Sequence, residues 1–456
     1  MTIVGLVAGL LTLFAPGFGL SLLLFGARAR IQLPQLCALS WLFGTGVISL
    51  LLWLGGMLVS GPGLQLGVAA IAIAIAVSGY FAFKRRQARL FFPRPRTPIE
   101  WLLVAVIVLQ CGLMFHVALG HELGWDGLFN WEIKARYAFF NAGVMPPSYY
   151  SDTTRLMTHP AYPLWVPLTE LWLYLWMGEP HQFWIKLLFP IYYAAGAVLL
   201  ATLASRLTGR RWIGLLAAAL LFFVPCLTNT PGGVHVGYVD VPISVLYLAG
   251  IGFLLLYLQD ADPAAWRCSA LCIALLPWAK KEGSLLWLVA VICAVGVVWR
   301  QRRSWSGLLW LLPGVFIMVA WKAFCFSVSL APSEEIGSIN WTRLVASLPR
   351  LGEILFIVRG ELLDVNHWSI LWPLLLLAFV SLAIRARDLP SLVLFIAIGV
   401  PITVYTGSFL FSNWPDWAAH VTASISRLLL HVMPLGWLAI ALAMRPPVVP
   451  AKTSVG

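Results

Sequence analysis

The chain has 456 residues, of which 61% are hydrophobic and only 11% are charged, and its mean hydropathy is +0.88. A soluble domain carries roughly 25% charged residues, so this composition excludes a water-soluble globular protein and predicts the lipid bilayer as a partner. The net charge of +12 lies mostly in short basic clusters between apolar stretches, a pattern typical of the positive-inside rule, so it does not indicate a nucleic-acid partner.

Apolar stretches recur along the whole chain. A spanning helix needs about 20 mostly apolar residues to cross a hydrocarbon core of roughly 30 Å. With every basic cluster on the cytoplasmic side, the stretches alternate consistently, with the N-terminus outside and the C-terminus inside. The sequence therefore predicts an all-α polytopic membrane protein, a single transmembrane domain over 1–456 that keeps its first helix. The thirteen predicted spans are 3–26, 36–58, 64–83, 99–119, 183–204, 212–228, 241–258, 266–279, 284–299, 306–328, 368–384, 389–408 and 425–444.

The outer face carries the longest connections between predicted spans. The first extracytoplasmic loop covers 120–182, and a second extracytoplasmic segment covers 329–367, in which 330–360 favours an amphipathic surface helix. Residues 162–178 are apolar but short for a span, and they contain two prolines and a glutamate. Counting them as a span would invert the sidedness of every later basic cluster. We therefore predict an interfacial or re-entrant helix there.

Charge is concentrated at the start of the first outer loop. Residues 121–137 carry three acids and two cations among aromatic residues. Asp126 lies between a tryptophan and a glycine, where the chain can turn sharply and hold a carboxylate partly dry, so we predict a general base with a raised pKa. For Glu132 a functional role and a structural i,i+4 ion pair with Arg136 remain alternatives.

Two further outer stretches contain candidate site residues. His159 and Tyr162 lie in Thr-His-Pro-Ala-Tyr-Pro-Leu, where the prolines fix the backbone and favour a rigid presentation of the imidazole. A lone histidine is nevertheless more often structural. Asp240 immediately precedes a predicted span, so helix capping and a functional role are both open, and the two are compatible.

The turn between two predicted spans carries Lys280, Lys281 and Glu282 on the outer side, against the positive-inside trend. A phosphate group at the membrane surface would account for these cations.

The last candidate feature is a polar stripe on a helix that enters the membrane from outside. His420, Ser424, Arg427 and His431 follow the spacing i, i+4, i+7, i+11 and so share one helical face, which should point into the bundle. Arg427 is a candidate anion site, with interhelical hydrogen bonding as the alternative.

The order of four motifs along the chain resembles that of the GT-C membrane glycosyltransferases. The resemblance is nearest to bacterial members of the dolichyl-phosphate-mannose protein mannosyltransferase and aminoarabinose transferase superfamily. The motifs are a Trp-Asp loop, His-Pro-x-Tyr-Pro-Leu, Tyr-x-Asp-x-Pro opening a helix, and Lys-x-Glu-Gly, between about 100 and 300, with weaker support from His420 to Arg427. One departure concerns the subfamily. Many relatives carry an adjacent Asp-Glu pair, whereas Gly127 follows Asp126 here.

The resemblance implies a GT-C-like bundle that moves a sugar from a polyprenyl-phosphate carrier to an acceptor hydroxyl of unspecified class, with inversion, on the outer face of a bacterial inner membrane. It implies Asp126 as the base, and Lys281, Arg427 and Lys280 as groups that hold the carrier phosphate. The departing lipid phosphate is already a stable anion, so no general acid is needed. The supporting positions are His159, Tyr162, Asp240, Glu282, Glu132 and His420.

We expect no cofactor, with a divalent ion at His121, Glu122 and Asp126 as the alternative. The seven cysteines lie in or beside apolar stretches and predict neither a disulfide framework nor a zinc site. Two other functions remain open: a transporter or flippase of a lipid-linked sugar, and an outer-face glycan ligase. Transporters usually place charges near the bilayer midplane, whereas here ionisable residues crowd one surface, which favours an enzyme.

Overall fold

Helices form nearly all of the regular structure in the computed structural model, which describes residues 2–229, 232–302, 304–328, 330, 336–385 and 388–445. The first half of the chain contains α1 (Thr2–Leu24), α2 (Leu33–Gly56), α3 (Pro62–Arg85), α4 (Pro98–Gly120), α5 (Ile133–Phe140), α6 (Pro147–Ser151), α7 (Trp165–Met177), α8 (Gln182–Ile185), α9 (Leu188–Thr208), α10 (Arg211–Leu220) and α11 (Pro225–Thr228). The second half contains α12 (Asp240–Asp260), α13 (Pro263–Ala279), α14 (Gly283–Arg300), α15 (Leu312–Ser327), α16 (Trp341–Ser347), α17 (Leu351–Leu363), α18 (Val365–Trp368), α19 (Leu371–Arg385), α20 (Leu389–Ser408), α21 (Trp417–Leu430) and α22 (Met433–Ala443).

Short elements connect these helices. Two three-residue strands, β1 (Arg30–Gln32) and β2 (Arg89–Phe91), pair in parallel. A π-helix covers Gly127–Glu132. The 3₁₀ turns are Thr153–Thr158, Leu221–Phe223, Val234–Val236, Trp305–Leu311, Leu348–Arg350 and Phe409–Phe411. The predicted all-α class is confirmed, with the parallel strand pair as a small addition that the sequence did not indicate.

Nine helical segments in the described chain are long and apolar enough to cross a membrane. They are Thr2–Leu24, Leu33–Gly56, Pro62–Arg85, Pro98–Gly120, Gln182–Thr208, Asp240–Asp260, Gly283–Arg300, Trp305–Ser327 and Leu389–Phe411. The pair α21 and α22, bent by 49°, gives a tenth when it is counted as one broken span. The chain is therefore a polytopic membrane protein. The other three predicted spans fall on shorter helices, Arg211–Phe223, Pro263–Ala279 and Leu371–Arg385.

The helix α12 forms the centre of the bundle and packs against α9, α13 and α22. Its sequence is apolar on every side, as expected of a helix surrounded by protein, and 18 of its 21 residues are buried. By contrast, α3 and α4 expose most of their apolar residues and therefore lie at the periphery. Close backbone packing joins α1 to α2: a Cβ at Gly17 would lie 1.8 Å from the carbonyl oxygen of Ser40, so only glycine fits there.

Two of the basic clusters, 84–96 and 206–211, meet at one end of the bundle. Arg206 pairs with Asp260 at 3.2 Å, and Arg211 donates to the carbonyl oxygen of Arg94 at 2.6 Å. Asp260 ends α12 and Asp240 begins it, so at 1.5 Å per residue the two aspartates lie about 30 Å apart. The candidate site around Asp240 is therefore at the opposite end of the bundle from these cations.

The segment 162–178 contains α7, which is more deeply buried than the sequence indicates. Eleven of the thirteen residues of α7 are buried, including Glu170, and the helix packs against α1, α2 and α5. The placement of this helix at the interface or as a re-entrant segment remains a prediction. The sequence underestimated the burial because hydropathy does not report which neighbours enclose a helix. In 329–367 the structure contains α16 and α17, while 329 and 331–335 lie outside the described residues.

Candidate functional site

Asp240 is the centre of a buried ionic cluster. Its side chain is fully buried, and its Oδ1 accepts a hydrogen bond from Lys280 Nζ at 2.7 Å. Its Oδ2 accepts from Arg427 Nε at 3.0 Å. Although Asp240 is the first residue of α12, its carboxylate makes no capping hydrogen bond, so the capping alternative is wrong. The carboxylate instead binds cations from two other parts of the chain.

His431 completes the coordination of Asp240. Its Nε2 lies 2.9 Å from Asp240 Oδ1, and because an ionised carboxylate only accepts hydrogen bonds, Nε2 carries the proton. The other ring nitrogen, Nδ1, lies 3.0 Å from the hydroxyl of Tyr405. The predicted stripe brings His431 to the centre, yet α21 ends at Leu430 and His431 lies at the bend before α22.

Arg427 joins Asp240 to Asp126. Its Nη2 lies 2.5 Å from Asp126 Oδ2 while its Nε remains on Asp240. The guanidinium stacks over the ring of Tyr238 at 4.5 Å, an arrangement that suits a planar cation. The Tyr238 hydroxyl also accepts a hydrogen bond from the Asp126 backbone N–H at 3.2 Å. Two residues that are 114 positions apart in the chain are thus held by the same arginine.

The backbone at Asp126 is helical rather than sharply turned. Asp126 has φ −68° and ψ −35° and leads directly into the π-helix Gly127–Glu132, so the predicted turn is wrong. Gly127 is needed for close approach: a Cβ there would lie 2.3 Å from the carbonyl oxygen of Val236. The prediction of a partly dry carboxylate is consistent with the side chain being 16% exposed.

The two adjacent lysines differ in their surroundings. After α13 ends at Ala279, Lys280 has an extended backbone. Lys280 is buried, and its Nζ lies 3.4 Å from Glu282 in addition to its bond with Asp240. Burial would lower the pKa of Lys280, but the carboxylates of Asp240 and Glu282 outweigh it and raise that pKa. Lys281 is exposed.

Glu282 faces the same cluster. Burial would raise the pKa of its carboxyl, but the Lys280 ammonium outweighs burial and lowers that pKa. Glu282 is therefore an anion at neutral pH. Asp126, Asp240 and Glu282 together supply three carboxylates against the two cations Lys280 and Arg427. The described cluster is consequently not an empty cationic pocket.

His159 lies beside this cluster, on a strained backbone. Its φ of 47° is in the left-handed region, which a residue with a side chain adopts rarely and which often marks functional positions. Burial and the nearby Lys134 charge lower the pKa of His159 to about 4, so the imidazole is neutral at pH 7. Its ring stacks on Tyr162 at 4.9 Å, and Tyr162 stacks on Trp131 at 5.4 Å.

Lys134 is a buried lysine that the predicted site lacks. Its Nζ donates to the carbonyl oxygen of His159 at 2.9 Å and lies 5.2 Å from the Trp131 ring centroid. Burial lowers the pKa of Lys134 to about 7, and the Asp126 charge partly opposes that shift. The sequence shows Lys134 among loop charges without indicating its burial. The segment that encloses it lies 25 residues further along the chain.

Two predicted supporting residues serve other contacts. Glu132 is buried and accepts from Arg136 Nη2 at 2.9 Å and from the Tyr174 hydroxyl at 2.7 Å, which is the structural i,i+4 alternative. His420 lies 2.8 Å from the Ser412 hydroxyl and stacks on Trp414 at 4.6 Å. Neither side chain contacts Asp240 in the described chain.

Possible metal ligands lie apart from the ionic cluster. Ligand atoms of Glu361, Asp364 and His367 lie within 4.8 Å of one another. Local hydrogen bonds already occupy them, since Glu361 Oε1 lies 2.8 Å from His367 Nδ1 and accepts from the indole N–H of Trp368. The alternative divalent site gains no support from Asp126, whose carboxylate faces Arg427.

Comparison of the sequence with protein-family models gives no match, and comparison with curated proteins gives none either. Function is therefore inferred from the arrangement of the side chains. This arrangement contains a half-buried carboxylate, Asp126, held against an arginine, and an exposed lysine in the turn after α13. Such a set can accept a proton from a hydroxyl and can stabilise an anionic leaving group.

Proposed function

We propose that the protein is an inverting GT-C-type glycosyltransferase that moves a sugar from a polyprenyl-phosphate carrier to an acceptor hydroxyl. The observation that supports this most strongly is the bidentate role of Arg427, which binds Asp126 and Asp240 together. Asp126, Asp240 and Arg427 come from three motifs that the resemblance names separately. Their meeting in one centre is what a shared active site requires.

In this reaction Asp126 is the base. Its carboxylate takes the proton of the acceptor hydroxyl while the acceptor oxygen forms a bond to the anomeric carbon of the sugar. The bond from that carbon to the phosphate oxygen breaks on the opposite side, and its electron pair leaves with the polyprenyl phosphate. The reaction needs only one carboxylate to accept the proton and one site to bind the departing anion, because the leaving phosphate needs no proton.

Arg427 and Lys281 are the proposed ligands of the carrier phosphate. Arg427 is 20% exposed and Lys281 is exposed, so both can meet a charged head group. Lys280 is only 4% exposed and binds Asp240 and Glu282, so its proposed part is to hold Asp240 in place rather than to contact phosphate. His159 and Tyr162 form a half-buried ring stack beside the proposed base, where a sugar ring can pack.

The proposed topology has thirteen spans, with the N-terminus outside and the active site on the periplasmic side of a bacterial inner membrane. The clustering of Arg206 and Arg211 at the far end of α12 from Asp240 supports this orientation under the positive-inside rule. A polyprenyl-linked donor would then reach the site from the outer leaflet, as cell-envelope synthesis requires.

Two other functions remain candidates. A flippase of a lipid-linked sugar would place its ionic groups near the bilayer midplane, whereas Asp240 lies at the end of a 21-residue helix, which favours an enzyme. An outer-face glycan ligase would use similar charges, and only the identity of the donor separates it from the proposed enzyme.

Binding of unglycosylated polyprenyl phosphate to the purified protein in nanodiscs tests the proposal. This carrier is common to all donors of the class, so the sugar need not be known. We expect saturable binding that Lys281→Ala and Arg427→Ala each weaken by about tenfold or more. Lys84→Ala is the matched control, because Lys84 is an exposed lysine in the last turn of α3, within a predicted cytoplasmic cluster.

The absence of specific binding to the wild-type protein would count against the glycosyltransferase and in favour of an unrelated substrate. Binding that is unaffected by both substitutions would move the phosphate site away from this cluster.

A further inference from the structure

The two carboxylates that bind Arg427 differ in their access to solvent. Asp240 is fully buried, while the side chain of Asp126 is 16% exposed and that of Arg427 is 20% exposed. The Asp126 side of the guanidinium is therefore a side on which an anion that arrives from outside can approach. The Asp240 side is closed.

The charges of the cluster also indicate that an incoming phosphate would have to replace a carboxylate on Arg427. Three carboxylates, Asp126, Asp240 and Glu282, surround the two cations Lys280 and Arg427. The nearby Lys134, whose pKa is about 7, adds only part of a third positive charge. A phosphate added to this arrangement would meet like charges at short range, which is strongly unfavourable where water is scarce. The phosphate can bind Arg427 well only if a carboxylate that holds Arg427 moves away. Of the two that do, Asp240 is fully buried and Asp126 has solvent access, whereas Glu282, 21% exposed, pairs with Lys280.

We propose that the Asp126 carboxylate occupies the position of the carrier phosphate on Arg427, and that the incoming phosphate displaces it. This inference rests on the proposed function. Arg427 keeps its place during the exchange because its Nε remains on Asp240. Lys280 and His431 fix Asp240 in turn. Only Nη2 changes partner, from a carboxylate oxygen to a phosphate oxygen.

The exchange connects donor binding to the chemistry. While Asp126 is paired with Arg427, its Oδ2 is held by the guanidinium and is not available to an acceptor hydroxyl. Once the phosphate has taken Nη2, Asp126 is free to accept the acceptor hydroxyl proton, at a distance from its former partner. Donor therefore binds before the base becomes active, and the acceptor reacts second.

Displacement of Asp126 by phosphate predicts a result that a role of Asp126 as base alone does not predict. If Asp126 competes with phosphate for Arg427, removing its charge should strengthen carrier binding while abolishing transfer. We expect Asp126→Asn to bind unglycosylated polyprenyl phosphate about tenfold more tightly than the wild type, which corresponds to about 1.4 kcal/mol. The binding is measured in nanodiscs, with polyprenol lacking the phosphate as the control ligand.

The matched control is Asp152→Asn, which makes the same change of net charge in the same outer loop. The Asp152 carboxylate binds Thr154 and Arg155 and belongs to a separate exposed group, so carrier affinity should stay within about twofold of the wild type. Asp126→Ser serves as a second variant, in case the asparagine finds a new partner or impairs folding. It removes the same charge and should strengthen binding as well.

The outcomes separate this inference from the proposed function. Tighter carrier binding by Asp126→Asn and Asp126→Ser, with no change in Asp152→Asn, supports the exchange. Carrier binding by the wild type that is equal or weaker in both Asp126 variants overturns the exchange and leaves the glycosyltransferase intact. Failure of the wild type to bind the carrier overturns the proposed function, and the exchange with it.

Discussion

The stability of the fold should depend strongly on the charge of Asp240. Asp240→Asn keeps the shape of the side chain but removes the charge that faces Lys280 at 2.7 Å and Arg427 at 3.0 Å. Lys280 is only 4% exposed and would retain just Glu282 at 3.4 Å. Breaking a buried ion pair by removing one partner typically costs 3–5 kcal/mol, so we expect a loss of about 3 kcal/mol in the free energy of unfolding.

This loss can be measured by titrating dodecyl sulfate into mixed micelles and following the reactivity of cysteines that are buried in the fold. The double variant Asp240→Asn with Lys280→Met removes the uncompensated ammonium as well, and should recover part of the stability. An Asp240→Asn protein as stable as Asp152→Asn would refute the assigned ion pair. The buried reporters are Cys226, Cys268, Cys272 and Cys293.

Three further predictions concern residues around the centre. Gly127→Ala should destabilise the fold by about 1–3 kcal/mol, because the new Cβ meets a backbone oxygen at 2.3 Å, whereas Gly112→Ala, with open space around it, should not; thermal unfolding compares them. Lys134 has a folded-state pKa of about 7 against an ordinary 10.5, so the unfolded chain binds one more proton between these values. Wild-type stability should therefore rise with pH over that window relative to Lys134→Met, and parallel pH profiles of the two proteins would contradict the assignment. Tyr174→Phe removes the 2.7 Å hydrogen bond to Glu132 and should cost about 1–3 kcal/mol without changing carrier affinity, which denaturant titration and nanodisc binding measure side by side.

Much of the fold follows from the sequence because apolar length and basic clusters are local properties. The positions of the long helices and the distance between the basic clusters and the candidate site both follow from these patterns. Local patterns predict only part of the candidate site. Sequence spacing places Arg427 and His431 on one face, and the structure brings both to Asp240.

Residues that the prediction missed owe their position to distant parts of the chain. Tyr238 contacts Asp126 across 112 positions, and Lys134 is enclosed by the segment around His159. Lys280 is buried and Lys281 is exposed, a difference that no spacing rule specifies for two adjacent lysines. These features depend on tertiary contacts, so a single sequence gives no signal for them.

The central claim is best tested by following a donor pool directly. Wild-type protein in nanodiscs is incubated with polyprenyl-phosphate sugars and membrane acceptors extracted from its native host, and mass spectrometry follows the carriers. The account predicts that the wild type converts one glycosylated carrier into bare polyprenyl phosphate, and that Asp126→Asn is at least about 100-fold slower despite tighter carrier binding. Conversion at an unchanged rate by Asp126→Asn, or no conversion of any carrier by the wild type, would contradict it.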